Sequence, residues 1–165
     1  MLPVVAIVGR PNVGKSTFFN KVAGRKISIT ENRPGVTRDR VTAQAEWQGK
    51  PFTLVDTGGI ELKSDDVLWR QIAAQAKIAV ETADVILFMT DVREGITSSD
   101  YDVADFLRRS GKNVVLVVNK LDDYSPDKLF EFYSLGLGEP FGVSSEHSRG
   151  IGDVLDKAVE LFPRN

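Results

Sequence analysis

At 165 residues, with 42% hydrophobic and 27% charged side chains, the sequence has the size and balance of one soluble globular domain with a full core. It contains no cysteine, which excludes a disulfide framework and any thiolate metal site. A net charge of −2 and a pI near 5.5 argue against strong nucleic-acid binding by this domain alone, because neutralising phosphates takes a basic surface.

Apolar runs alternate with helical periodicity along the chain. A strand is expected over 4–8, followed by a helix over 15–23. The stretch 26–40, with Pro34-Gly35 inside it, is the longest without a pattern, and long irregular loops in compact domains are more often functional than idle. Strands follow at 41–47 and 52–56, and the intervening Gln48-Gly49-Lys50-Pro51 signals a hairpin, hence an antiparallel pair. Ser64-Asp65-Asp66 reads as a helix start, and Ile72, Ala76, Ala79, Val80 and Ala83 mark that helix's apolar face. The runs 85–90 and 113–118 are apolar without alternation, as in parallel strands covered on both faces. Between them, Val103, Phe106 and Leu107 mark a third helix, closed by Ser110-Gly111. A last strand is expected over 140–143. Ile151, Val154, Leu155, Ala158, Val159 and Phe162 then share one face of a helix stopped by Pro163. The expected fold class is α/β: a six-stranded, mostly parallel sheet with one antiparallel strand and helices on both faces. No apolar run approaches the roughly 20 residues of a membrane span, and the N-terminus lacks the basic segment of a signal peptide, so a cytoplasmic location is expected.

Residues 9–16 read Gly9-Arg10-Pro11-Asn12-Val13-Gly14-Lys15-Ser16, a complete G-x-x-x-x-G-K-S. The motif follows a strand and opens a helix, the context it requires. Its glycines let backbone N–H groups converge on phosphate oxygens, helped by the helix dipole. Lys15 supplies charge to β- and γ-phosphates, Ser16 is placed to ligate Mg²⁺, and Thr17 adjoins them. Asp56, in Asp56-Thr57-Gly58-Gly59, is the candidate holder of the metal's water shell, while the Gly59 N–H faces a γ-phosphate. Thr37 in the long loop is a third candidate for Mg²⁺, closing when GTP is present and releasing on its hydrolysis. Asn119-Lys120-Leu121-Asp122 reads a base. The Asp122 carboxylate accepts from guanine N1–H and N2–H₂, whereas adenine has no matching donors and would leave it unpaired. Asn119 is expected at N7 and against neighbouring loops, and the Lys120 stem along the base plane. In Ser144-Ser145-Glu146, the Ser145 N–H is the candidate partner of O6. The ligand is therefore GTP or GDP, and an ATP-using P-loop kinase is disfavoured.

The set GRPNVGKS, PGVTRD, DTGG and NKLD, in this order, resembles the Era-like branch of P-loop, Ras-like GTPases. The sequence DTGGI, with Met1 just before the first strand, looks most like the first G domain of the EngA (Der) family; Era and MnmE G domains are the alternatives. The resemblance covers essentially the whole chain. It implies a single G domain over 1–165, part of a longer protein with a second G domain and a C-terminal KH-like domain. It also implies a molecular switch acting on the large ribosomal subunit or its precursor.

Where many GTPases carry a water-orienting Gln, this sequence has Ile60, which offers no hydrogen bond. The resemblance implies another source of transition-state charge. Relatives with Asn at the position of Asn12 bind K⁺ there, which would stand in for an arginine finger. The plainer alternative is that Asn12 stabilises its own turn. Arg33, Arg38 and Arg40 are weaker finger candidates, and Glu61 a weaker water activator. His147 reads as a surface residue. The competing class is a nucleotide-gated binding module that hardly hydrolyses GTP alone.

Overall fold

The computed structural model describes residues 1–24, 41–59, 68–123 and 125–164. Its elements are β1 (Val4–Gly9), α1 (Lys15–Ala23), β2 (Val41–Trp47), β3 (Lys50–Asp56), α2 (Leu68–Thr82), β4 (Val85–Asp91), α3 (Ser98–Arg109), β5 (Asn113–Asn119), β6 (Pro140–Gly142) and α4 (Ile151–Glu160). The strands form one sheet in the order β2-β3-β1-β4-β5-β6. Every neighbouring pair is parallel except β2 with β3.

The unalternating runs are buried on both faces for a simple geometric reason: successive side chains point to opposite sides of a sheet. Val5 and Ile7 of β1 join Leu87 and Val115 in a core capped by Phe18 of α1 and Leu155 of α4. Ala6 and Val8 join Phe88 and Leu116 in a second core beneath Ile72 of α2 and Leu107 of α3. One sheet thus separates two cores, and the helices lie on both faces as the periodicity implied.

Two features differ from the sequence expectation. The hairpin turn has two residues, with Trp47 opposite Lys50, rather than four. Gln48 and Gly49 take φ of 51° and 77°, the twist-matched geometry for a two-residue hairpin, and Pro51 falls inside β3 opposite Glu46. A run of 3₁₀ turns spans Pro126–Leu135, where no helix was expected. Its Phe132 and Leu135 are fully buried and Gly136 ends it at φ 72°, yet apolar residues there follow no 3.6-residue period. Helix α3 begins at a capping box, with Asp100 N–H donating to Thr97 Oγ1 at 3.2 Å and Thr97 N–H to Asp100 Oδ2 at 3.1 Å.

Because β1, β3, β4, β5 and β6 are parallel, all their C-terminal ends reach the same edge. The strand order reverses around β1 and β4, and ligands of open α/β sheets bind at such an edge. Phe88, in the middle of β4 and fully buried, is the interior test of this arrangement. Phe88→Ala is expected to lower unfolding free energy by about 3–5 kcal/mol. Urea denaturation checks it; a loss below 1 kcal/mol would contradict a close-packed second core.

Candidate functional site

The C-terminal edge collects the chemistry. β1 runs into the phosphate loop, β3 ends at Asp56, β4 at Asp91, and β5 at Asn119. Two adjoining clefts lie there. One, of about 590 Å³, is lined by Asn12, Gly14–Thr17, Asp56 and Gly58. The other, of about 280 Å³, is lined by Asn119, Lys120, Asp122, Ser144 and Ser145, with Arg93 and Glu146 at its rim. Gly14, Thr17 and Lys120 border both clefts.

The phosphate loop is shaped by its glycines. Gly14 takes φ 102°, and a Cβ there would sit 2.1 Å from Asn119 Nδ2. A Cβ on Gly9 would meet the Met89 carbonyl oxygen at 2.5 Å. Asn12 takes φ 70°, a left-handed conformation that Asn tolerates better than most residues. Val13 is buried, while Pro11, Asn12, Ser16 and Thr17 are exposed toward the cleft. Lys15 Nζ donates to the Gly9 carbonyl and, at 2.9 Å, to that of Arg10. Burial pushes its ammonium down to about 8; nearby Asp56 opposes the shift and Arg10 adds to it.

Ser16 Oγ lies 3.5 Å from Asp56 Oδ2, and Asp56 Oδ1 accepts the Gly58 N–H at 2.8 Å. A Cβ on Gly58 would meet Lys15 Cε at 2.6 Å and Asp56 Oδ1 at 3.0 Å, so a side chain there would displace the lysine end from its place beside Asp56. The neighbouring hydroxyl and carboxylate are hard oxygen donors of the kind Mg²⁺ takes beside phosphate. Among the described residues no cluster of three or more His, Cys, Asp or Glu forms a metal cage.

Asn119 joins the two clefts. Its Nδ2 donates to Val13 O at 2.7 Å, and its Oδ1 accepts from Ser145 N–H at 3.0 Å and Ser145 Oγ at 2.9 Å. Lys120 Nζ donates to Asn12 O at 2.6 Å and pairs with buried Asp91 at 2.9 Å, which leaves its stem as a wall of the base cleft. Asp122 accepts from Ser144 Oγ at 2.8 Å and pairs with Arg93. The Ser144 hydroxyl, and after it Arg93, hold the Asp122 carboxyl below the usual carboxylate range, so it is ionised and ready to accept.

Several expected ligand contacts are altered. The Ser145 N–H, expected at guanine O6, is engaged by Asn119. The Thr57 side chain is fully buried and donates to Ile7 O at 2.6 Å, away from the cleft. Leu121 contributes its N–H to Val143 O at 3.0 Å, holding the base loop against the segment after β6. Arg10 does not face the cleft either. Its guanidinium grips Asp100 of α3 through Nε at 3.0 Å and Nη2 at 3.3 Å, and Glu94 through Nη1 at 2.9 Å. Burial works against that charge, and Asp100 and Glu94 outweigh it, so its pKa is raised. Of Arg10, only the backbone is offered to the phosphate loop. Thr37 and Ile60 lie outside the described residues, as do Arg33, Arg38, Arg40, Glu61 and Ser64-Asp65-Asp66. His147 is exposed, as expected.

The sequence reading missed Asp91, Arg93, Asp100 and Gln75. Asp91 carried a signal, since it ends an apolar strand as Asp56 does; the others did not.

With this geometry, the chain matches the family described as "50S ribosome-binding GTPase" over residues 4–120. The chain belongs to that family. It is 57% identical to GTPase Der of Clostridium kluyveri over 161 residues, 97% of this chain and 37% of the relative. It is also 57% identical to GTPase Der of Ruminiclostridium cellulolyticum over 166 residues, 99% of this chain and again 37% of the relative. The chain thus spans little more than a third of these relatives. Among solved structures, Era of Aquifex aeolicus bound to GDP and AlF4⁻ superposes with a TM-score of 0.77 at 31% identity, covering 100% of this chain and 58% of that one. The G domain of the Thermotoga maritima FeoB iron transporter shares the fold with a TM-score of 0.73 at 24% identity, over 98% of this chain and 99% of that one.

Two expectations follow from the buried cations. Asp100→Asn removes the charge that balances Arg10 and is expected to cost about 3 kcal/mol of stability. Arg10→Met added to Asp100→Asn removes the unbalanced cation while keeping an oxygen for the Thr97 N–H, and should recover most of it; equal loss in single and double variants would show that the ion pair is not the cause. For Lys15, burial in the protein alone sets the pKa near 8, and a phosphate beside the ammonium raises it. Binding of GDP therefore takes up protons above that pH, and affinity, flat below it, falls as pH rises past it. Calorimetry at pH 7 and pH 8.5 in buffers of different ionisation heat reads the uptake. Equal proton counts at both pH values would contradict the shift.

Proposed function

We propose that the chain is a G domain that binds GTP and hydrolyses it to GDP and phosphate, serving a cytoplasmic switch in assembly of the large ribosomal subunit. The observation that carries the nucleotide part is the Asn119 link, which ties the phosphate loop at Val13 to Ser145 beside Asp122, so that two adjoining clefts share one wall. The ribosomal part is supported by the family's description and by the Der relatives. A second G domain and a KH-like domain in the longer protein fit the 37% share of those relatives that this chain spans.

In this reading, loop N–H groups and Lys15 hold the β- and γ-phosphates, and the Asp122 carboxylate takes guanine N1–H and N2–H₂. Ser16 and Asp56 hold Mg²⁺, joined by Thr37 when GTP is bound; the ion supplies positive charge against the phosphate oxygens. The Gly59 N–H meets the γ-phosphate. Ile60 leaves the attacking water to backbone groups and the γ-phosphate itself. Asn12, exposed at the phosphate cleft, offers an amide oxygen to K⁺. A second reading, a nucleotide-gated binding module with negligible turnover of its own, is favoured by Ile60 alone.

Single-turnover GTP hydrolysis with Mg²⁺, in KCl and then in NaCl at equal ionic strength, tests both. K⁺ is expected to accelerate turnover, by up to the roughly 10³–10⁵-fold that an arginine finger supplies, and Asn12→Ala should erase the difference. Equal rates in the two salts would remove the K⁺ role. Tight GTP binding with no turnover in either would leave the binding module.

A further inference from the structure

The phosphate loop and the Thr57–Gly59 turn share a partner on α2 that no motif marks. Gln75 is 3% exposed and sits midway along that helix. β1 and β3 stay paired as far as Ile7 and Asp56, after which β3 leaves the sheet for the turn. Beyond that point side chains continue the ladder. Thr57 Oγ1 donates to Ile7 O at 2.6 Å, and the next N–H on that side of β1, from Gly9, donates to Gln75 Oε1 at 3.3 Å. The same Oε1 lies 3.1 Å from Thr57 Oγ1. The Thr57 hydroxyl has one proton and two acceptors in reach, so displacing the turn changes what Gln75 accepts. Gln75 keeps the Gly9 N–H, which stays with β1, so the contact between Thr57 Oγ1 and Oε1 is the one that a shift of the turn makes or breaks against α2.

We propose that Gln75 is a positioning residue that couples the γ-phosphate end of the site to α2, passing the state of the turn into the helix through Thr57 and Gly9. The inference rests on the GTP-switch reading and deepens it by naming the residue that carries the state outward.

The test compares the chain with Gln75→Met and Gln75→Glu. Met is an unbranched side chain of comparable length with no comparable acceptor, whereas Glu keeps an acceptor oxygen. Affinities are measured for GDP and for a non-hydrolysable GTP analogue, with kcat and KM for GTP. Gln75→Met is expected to weaken the analogue at least about fivefold with GDP affinity little changed, and to lower kcat more than it raises KM. Gln75→Glu should restore both. If Gln75→Met only lowers the unfolding midpoint, with both nucleotides affected alike, the coupling is wrong. Should that variant not fold, amide hydrogen exchange on the unaltered chain decides. Protection across α2 must differ between the GDP and analogue complexes, and identical protection overturns the proposal. An unaltered chain that binds neither nucleotide overturns the GTP reading, and the coupling with it; normal binding with an insensitive Gln75 overturns the coupling alone.

Discussion

One side-chain amide holds the site together. Asn119 ends β5 and reaches across to the Val13 carbonyl, while its oxygen takes both donors of Ser145. Each such bond is worth only about 1 kcal/mol net, but severing the link would strand a buried carbonyl and a buried N–H at once. The loops that bear Lys15, Asp122 and Ser145 come from distant parts of the chain, and the bonds from Lys120 to Asn12 O, Leu121 N–H to Val143 O and Ser144 Oγ to Asp122 reinforce the separation that Asn119 sets. Gly14 completes the arrangement, because a Cβ at that position would occupy the space of the Asn119 amide nitrogen.

The cations around the cleft divide into two kinds. Arg10 is matched by Asp100 and Glu94, and Lys120 by Asp91, so their charges serve the scaffold. Lys15 is different. Among the described residues its hydrogen bonds go to two carbonyls, and burial depresses its pKa. A buried ammonium balanced by dipoles instead of a contacting carboxylate is a site arranged for an anion from outside. The phosphate groups of a nucleotide supply the charge that the fold withholds. The Arg10–Asp100 pair also ties the phosphate loop to the capping box of α3, so that helix and loop are fixed by the same carboxylate.

Local signals made much of this legible. The strands of the parallel core announced themselves as unbroken apolar runs, because each is covered on both faces. The phosphate loop and base reader are contiguous motifs whose chemistry requires particular residue types at short spacing. The 3₁₀ run at Pro126–Leu135 was not legible, since its burial of Phe132 and Leu135 comes from docking on the sheet and α3 rather than from any helical period. The hairpin was legible but its turn was placed too wide: Pro51 reads as a turn residue, yet is accommodated at the start of β3.

By itself the sequence determined the fold class, the order of the elements and the ligand class, because those depend on periodicity and on motifs a few residues long. Only the tertiary structure decided which polar atoms face the ligand and which are spent within the protein. Arg10 and Thr57 sit inside binding motifs, yet one is drawn to Asp100 and the other to Ile7, while Gln75, in an unremarked helix, meets the phosphate loop. The reason is physical: a buried polar group must find a partner, and that partner is chosen by proximity in the packed fold, across separations of 50, 66 and 90 residues that no local pattern encodes.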